Sequence, residues 1–198
     1  MKKRLLALML VVVAVLMTAC GGKAYTPGTF TDTGYESEFL GFRYTTPDGC
    51  TLATEDELSQ LMGMSLDAMG DDFSEVQKKY AELTTIYEMM VTDATGAANA
   101  NVVLEKTNVS FSKYLDAFKE QLNGLTSMSV TLKGDAEEVD LAGATYTKLA
   151  ADVETSGFVM CQEYYLRKVG DRMMCITVTY ADGFEAEKDA ILNGFAAY

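Results

Sequence analysis

The chain contains no histidine and no tryptophan, only two prolines in 198 residues, and 16 basic side chains against 29 acidic ones. Each shortage excludes something. Without an imidazole there is no Ser-His-Asp or Cys-His activation of a nucleophile, no His-containing zinc site and no haem ligated by His. Without Trp the strongest aromatic platform for a sugar is missing. A formal charge of −13 sets the surface against nucleic acid and anionic lipid headgroups, so no nucleic-acid partner is expected. What remains is the composition of a folded globule: 48% of residues are hydrophobic and both charge signs occur. That excludes wholesale disorder, a collagen-like repeat and a multi-span membrane protein, and at this length it points to one domain.

Lys2, Lys3 and Arg4 precede an apolar run from Leu5 to Met17, and small residues follow. The run is about thirteen residues, short of the roughly 20 that a spanning helix needs, and Gly21-Gly22 follows it without a basic stop-transfer cluster. Residues 1–19 therefore read as a secretory signal peptide. The run ends on Met17-Thr18-Ala19-Cys20, which resembles the lipobox of bacterial lipoproteins, with Met where Leu is usual. The resemblance implies cleavage before Cys20, a diacylglycerol thioether on its sulfur, and a domain anchored at the extracytoplasmic face of the cell membrane without spanning it. Removing residues 1–19 leaves 13 basic and 29 acidic side chains, a formal −16. Any charged partner is expected to present a basic face.

Residues 20–38 are rich in Gly and Thr with isolated aromatics, and read as a lipidated Cys followed by a flexible tether. As a coil, such a stretch would span roughly 20–25 Å. Residues 39–198 read as the globular domain. Phe39 to Thr46 is aromatic and β-branched and is stopped by Pro47-Asp48-Gly49. Thr54 and Glu57 form a capping box, after which Leu58, Leu61, Met62, Leu66 and Met69 recur at helical spacing. A second helix is expected to place Phe73, Val76 and Tyr80 on one face, before strands at 83–95 and 101–107. Phe111, Tyr114, Leu115, Phe118 and Leu122 mark an amphipathic helix. Five strands follow between Val130 and Tyr180, with Gly170-Asp171 as a two-residue hairpin turn. A last helix carries Phe184, Ile191, Leu192 and Phe195 inward. The order gives an α+β fold with a largely antiparallel sheet.

Several short stretches resemble the PsbP/Mog1 superfamily: Gly41-Phe42-Arg43-Tyr44 leading to Pro47-Asp48-Gly49, Leu141-Ala142-Gly143-Ala144-Thr145-Tyr146, and the end from Thr179-Tyr180 to Gly194-Phe195. Cys50 stands about where that family commonly has a Trp. The resemblance covers most of 39–198 and implies an α-β-α sandwich around an antiparallel sheet, with very little chemistry attached. Function on a shared fold has to be argued from sites.

With Cys20 assigned to lipid, Cys50, Cys161 and Cys175 remain, an odd number, so at least one is free or pairs between molecules. If Val169 faces Arg172 across Gly170-Asp171, Cys161 lies opposite Tyr180 and Leu166 opposite Cys175. The two thiols are then about 17 Å apart along the ladder and on opposite faces, too far for a disulfide. They read as small buried hydrophobes, with Cys50 left open. The acidic clusters Glu55-Asp56-Glu57, Asp71-Asp72 and Asp135, Glu137, Glu138, Asp140 fit helix N-termini and a solvated strand edge, and none has a calcium-loop spacing. Met62, Met64, Met69 and the pairs Met89-Met90 and Met173-Met174 read as core. Tyr146, Tyr164, Tyr165 and Tyr180 read as strand packing. No catalytic, cofactor-binding or metal residue is assigned, and no cofactor is expected.

The preferred reading is a non-enzymatic, membrane-tethered binding or assembly module of the cell envelope. A small envelope hydrolase using paired carboxylates is the alternative, since acid-base chemistry runs without His. A transporter's solute receptor, which needs two lobes, ranks last. Replacing Cys20 by Ala abolishes incorporation of labelled fatty acid and leaves the precursor unprocessed or released. Tight membrane retention of a cleaved, unlabelled Cys20→Ala protein would contradict the anchor.

Overall fold

The computed structural model describes residues 24–68, 74–125, 128–155 and 157–198, and the side chains of 65–68 are left aside. The signal peptide, Cys20, Met69, the Asp71-Asp72 pair and Phe73 lie outside the described residues.

Two antiparallel sheets organise the chain. The smaller contains β1 (Thr29–Thr31), β2 (Gly34–Ser37), β3 (Phe42–Thr45) and β12 (Phe195–Ala197), in the order β1-β2-β3-β12. The larger contains β4 (Thr51–Leu52), β5 (Thr85–Thr92), β6 (Ala98–Lys106), β11 (Arg172–Ala181), β10 (Phe158–Val169) and β9 (Ala144–Thr155), in that spatial order. Its far edge is made by β7 (Ser129–Leu132) and β8 (Glu137–Leu141), which lie along successive stretches of β9. The helices are α1 (Glu55–Ala68), α2 (Glu75–Thr84), α3 (Phe111–Gly124) and α4 (Glu185–Asn193).

The central strands of the large sheet are buried on both faces, and alternate residues supply different cores. Ala98, Ala100, Val102 and Leu104 of β6 and Met174, Ile176 and Val178 of β11 pack toward Tyr35, Phe42, Tyr44, Ile191 and Phe195. The opposite face packs Leu149, Ala151, Val153, Tyr164, Leu166 and Met173 against Tyr114, Phe118 and Leu122 of α3. On that same side, Tyr87 and Met90 of β5 meet Leu58 of α1 and Ala81 of α2. The α-β-α arrangement is present, with one difference in detail: α4 shares its layer with the four-stranded sheet.

Sequence signals account for several boundaries. Thr54 N–H donates to Glu57 Oε2 at 2.8 Å and Glu57 N–H donates to Thr54 Oγ1 at 3.3 Å, the expected capping box. A second box, Ser74 with Gln77, starts α2. Across Gly170, at φ +58°, Val169 faces Arg172, Leu166 faces Cys175 and Cys161 faces Tyr180, the register read from the turn. Cys161 packs against the first core and Cys175 against the second, on opposite faces, and Cys50, Cys161 and Cys175 are free thiols.

Three expectations are corrected. The stretch from 29 to 38 is not a tether: it holds β1 and β2, with Tyr35 and Ser37 buried. Its isolated aromatics are the anchors of the small sheet, and glycine allows the close approach this requires. A Cβ on Gly34 would lie 1.8 Å from the Tyr44 carbonyl oxygen. In α2 the inward residues are Ala81 and Thr84, while Val76 and Leu83 are exposed, because the helix runs through Thr84 and meets the sheet with its small side chains. Phe195 belongs to β12, opposite Tyr44, because the chain leaves the helix at Gly194 and pairs with β3.

Asp93 closes the β5–β6 connection. Its Oδ1 accepts the Ala98 N–H at 2.8 Å and its Oδ2 accepts the Thr95 N–H at 2.9 Å as well as the Thr95 hydroxyl. Burial works to raise this carboxyl, but the Thr95 hydroxyl and the backbone N–H groups outweigh it and hold its pKa below the ordinary Asp value.

Gly34→Ala is expected to destabilise by about 1–3 kcal/mol in urea unfolding, whereas Gly124→Ala, with open space around it, is neutral or slightly stabilising. Equal effects would mean that the small sheet contributes nothing. A depressed folded pKa stabilises the fold above the unfolded value of about 3.9, and that contribution fades as pH falls through the folded pKa. Asp93→Asn therefore costs about 1–2 kcal/mol at pH 7, and the deficit shrinks below about pH 3.9. A deficit that stays constant with pH would refute the assignment.

Candidate functional site

Along the edge formed by β4, β5 and α1, the surface sinks into three recesses that run into one another. Their construction starts with a bulge. The β5–β6 register passes from Tyr87 opposite Val103 to Met89 opposite Val102, leaving Glu88 without a rung of its own. The bulge turns the Glu88 carboxylate toward the small sheet, where it is buried and takes one hydroxyl on each oxygen, from Tyr25 and from Tyr35. Burial first, and then the neighbouring carboxylate, push both phenols well above the ordinary tyrosine value, so they remain protonated donors. The Arg172 guanidinium lies over the Tyr25 ring at 4.5 Å, and the Phe39 ring meets it edge-on at 5.4 Å.

The first recess, about 440 Å³, has Phe30, Tyr35, Leu58 and Met62 among its walls, with Glu55, Glu82 and Glu88. The second, about 710 Å³, shares Phe30 and Glu55 and adds Asp32, Asp48 and Cys50. The third, about 430 Å³, shares Thr51, Leu52 and Ala53 with the second and adds Glu57, Met64, Met90 and Asp93. Among the described residues seven carboxylates therefore line the belt, Asp32, Asp48, Glu55, Glu57, Glu82, Glu88 and Asp93, and no Lys or Arg does.

The thiols are poor nucleophiles. Burial, with a nearby Asp93, raises Cys50, and burial pushes Cys175 up to about 12. Burial also raises Cys161 above the ordinary thiol value, although Lys133 opposes it. Among the described residues no three Cys, Asp or Glu side chains converge as a metal-holding group. Glu55, Asp56 and Glu57 occupy the first turn of α1. Glu137, Glu138 and Asp140 lie on the exposed edge strand β8, where Lys148 stands 3.5 Å from Glu137 and the Thr145 hydroxyl donates to Asp140 at 3.0 Å.

Met89-Met90 and Met173-Met174 send one member to each face and fill core, as expected, while Met64 is exposed on the belt. Tyr146, Tyr165 and Tyr180 face the first core and Tyr164 the second, so they form no common stacking surface.

Four buried carboxylates among the described residues escaped the sequence reading: Glu88, Asp93, Glu105 and Glu163. Glu105 Oε2 accepts the Tyr114 hydroxyl at 2.9 Å. Glu163 Oε2 accepts the Tyr165 hydroxyl at 2.6 Å, and its Oε1 lies 3.4 Å from Lys148 Nζ and 3.9 Å from Lys188 Nζ. For Glu88 a signal was available, a lone charge inside the otherwise uncharged strand Thr85–Thr92, whereas Glu163 shares Phe158–Val169 with Arg167 and Lys168 and stands out less.

No protein-family model and no curated protein sequence matches the chain. Solved structures do resemble it. Cyanobacterial PsbP (CyanoP) from Synechocystis sp. PCC 6803 superposes with a TM-score of 0.51 at 12% identity, over 92% of this chain and 99% of that one. LpqN of Mycobacterium tuberculosis, described as involved in cell envelope biogenesis, gives 0.45 at 13% identity, over 78% of this chain and 82% of that one. A protein of Bacteroides thetaiotaomicron gives 0.42 at 13% identity, over 82% of this chain but 47% of that one. The chain therefore has a PsbP-like α+β fold, and the likeness extends to the fold alone.

Proposed function

We propose that the protein is a lipoprotein anchored through Cys20 to the extracytoplasmic face of the cell membrane, where it acts as a non-enzymatic binding or assembly module for a protein partner with a basic face. The observation that carries this reading is the belt: three connected recesses lined, among the described residues, by apolar side chains such as Phe30, Leu58 and Met62, by seven carboxylates and by no Lys or Arg. Such a surface suits Lys or Arg side chains, whose aliphatic stems pack on Leu58 and Met62 while their heads meet Glu55 and Glu82. The mature charge of −16 adds long-range steering of the same sign. Glu88, the buried carboxylate nearest the first recess, has both oxygens engaged by tyrosine hydroxyls, which supports a structural role for it over acid-base chemistry. No helix among the described residues is long and apolar enough to cross a membrane.

The test begins with capture of a partner from solubilised membranes by the full-length anchored protein, followed by association kinetics across salt concentration. Steering predicts an on-rate that falls as salt rises, with a smaller change in the off-rate. Glu55→Gln/Glu82→Gln is expected to slow association several-fold at low salt and to flatten the salt dependence. An acidic partner, a salt-independent on-rate, or an unaffected double variant would overturn the reading.

A further inference from the structure

The lipid-bearing position, Cys20, precedes Tyr25 by five residues, and Tyr25 is fixed to the domain by Glu88, Phe39 and Arg172. Five residues reach at most about 18 Å even when fully extended. Whatever part of the domain surrounds Tyr25 is thus held close to the plane in which the lipid sits. That part includes the turn end of the β10–β11 hairpin, since Arg172, over the Tyr25 ring, is the first residue after the turn, and also the rim of the first recess, which Tyr25 itself lines.

This end is basic in a chain that is otherwise acidic. Lys106 is the ladder partner of Arg172, and Arg167 and Lys168 lie just before the turn. Lys168 Nζ donates to the Val109 carbonyl at 3.0 Å, which brings the first turn of α3 and its exposed Lys113 to the same end. The hairpin's own carboxylate, Asp171, faces Lys106 at 3.9 Å. The opposite end of the ladder, roughly 30 Å away at ~3.4 Å per residue, carries the exposed Phe158 and Val159 instead.

We infer that Lys106, Lys113, Lys168 and Arg172 form a membrane-facing pole that rests on anionic lipid headgroups and orients the domain with its β9–β10 turn outward. Each cation near such a surface adds attraction that decays within a Debye length, so the pole acts only because the anchor is short. The inference rests on lipid attachment at Cys20 and adds to it a fixed orientation.

The lipidated full-length protein, purified from membranes, would be reconstituted into phosphatidylcholine vesicles with or without about one third phosphatidylglycerol, a composition chosen to switch the headgroup field on. Lysine acetylation is then read by mass spectrometry. The expected result is a reduction of at least about threefold in labelling of Lys106, Lys113 and Lys168 on the anionic vesicles, lost at high salt, with Lys78, Lys79 and Lys119 unchanged. In Lys106→Glu/Lys168→Glu, Lys113 labelling on anionic vesicles returns to the phosphatidylcholine level. Failure to float with phosphatidylcholine vesicles would overturn both the anchor and the pole. Flotation with equal labelling on the two compositions, or protection of Lys78 and Lys79 instead, would overturn the pole alone.

Discussion

A carboxylate buried without donors is costly, and the large sheet buries one at the bulge in β5. Glu88 is satisfied by hydroxyls that come from outside the sheet, on Tyr25 and Tyr35. That requirement ties the N-terminal segment to the domain. It fixes the β1–β2 hairpin over the first core, sets the floor of the first recess, and brings the chain close to Arg172 within five residues of Cys20. Tyr25 stands between the two, lining the first recess on one side and stacking under Arg172 on the other, so the belt and the cationic end of the hairpin meet at the same buried charge.

How much of this could be read in the sequence depended on whether a feature was local. The capping box at Thr54, the α3 stripe and the β10–β11 register are short-range patterns, and each was legible because its partners lie within a few residues or across a two-residue turn. The first two strands were not. Three- and four-residue strands show no period, and their Gly and Thr content is that of a linker until Tyr44 is placed against Gly34. Phe195 was misassigned because its strand partner, Tyr44, is about 150 residues distant. The acidic bias was visible, but not the belt, because Asp32, Glu55, Glu82 and Asp93 come from the β1–β2 turn, α1, α2 and the end of β5 and come together only when these pack.

Net charge was likewise a poor guide to where charge sits. A formal −13 suggests uniform repulsion from an anionic surface. The fold instead separates the signs, with carboxylates collected along one edge and several cations gathered at one end of the central hairpin. At distances beyond a Debye length of about 8 Å the molecule presents local faces more than a total, so two surfaces of opposite preference coexist on it.

The pairing of β3 with β12 also constrains when the molecule can finish folding. Joining Tyr44 to Phe195 closes a loop of about 150 residues, and the small sheet is incomplete until residues 195–197 have been synthesised and released from the ribosome. Until then Phe42 and Tyr44, which Phe195 covers edge-on at 5.2 and 4.7 Å, lack that aromatic lid. A chain in this topology stays open at one layer until residues 195–197 pair with β3, and it locks only then.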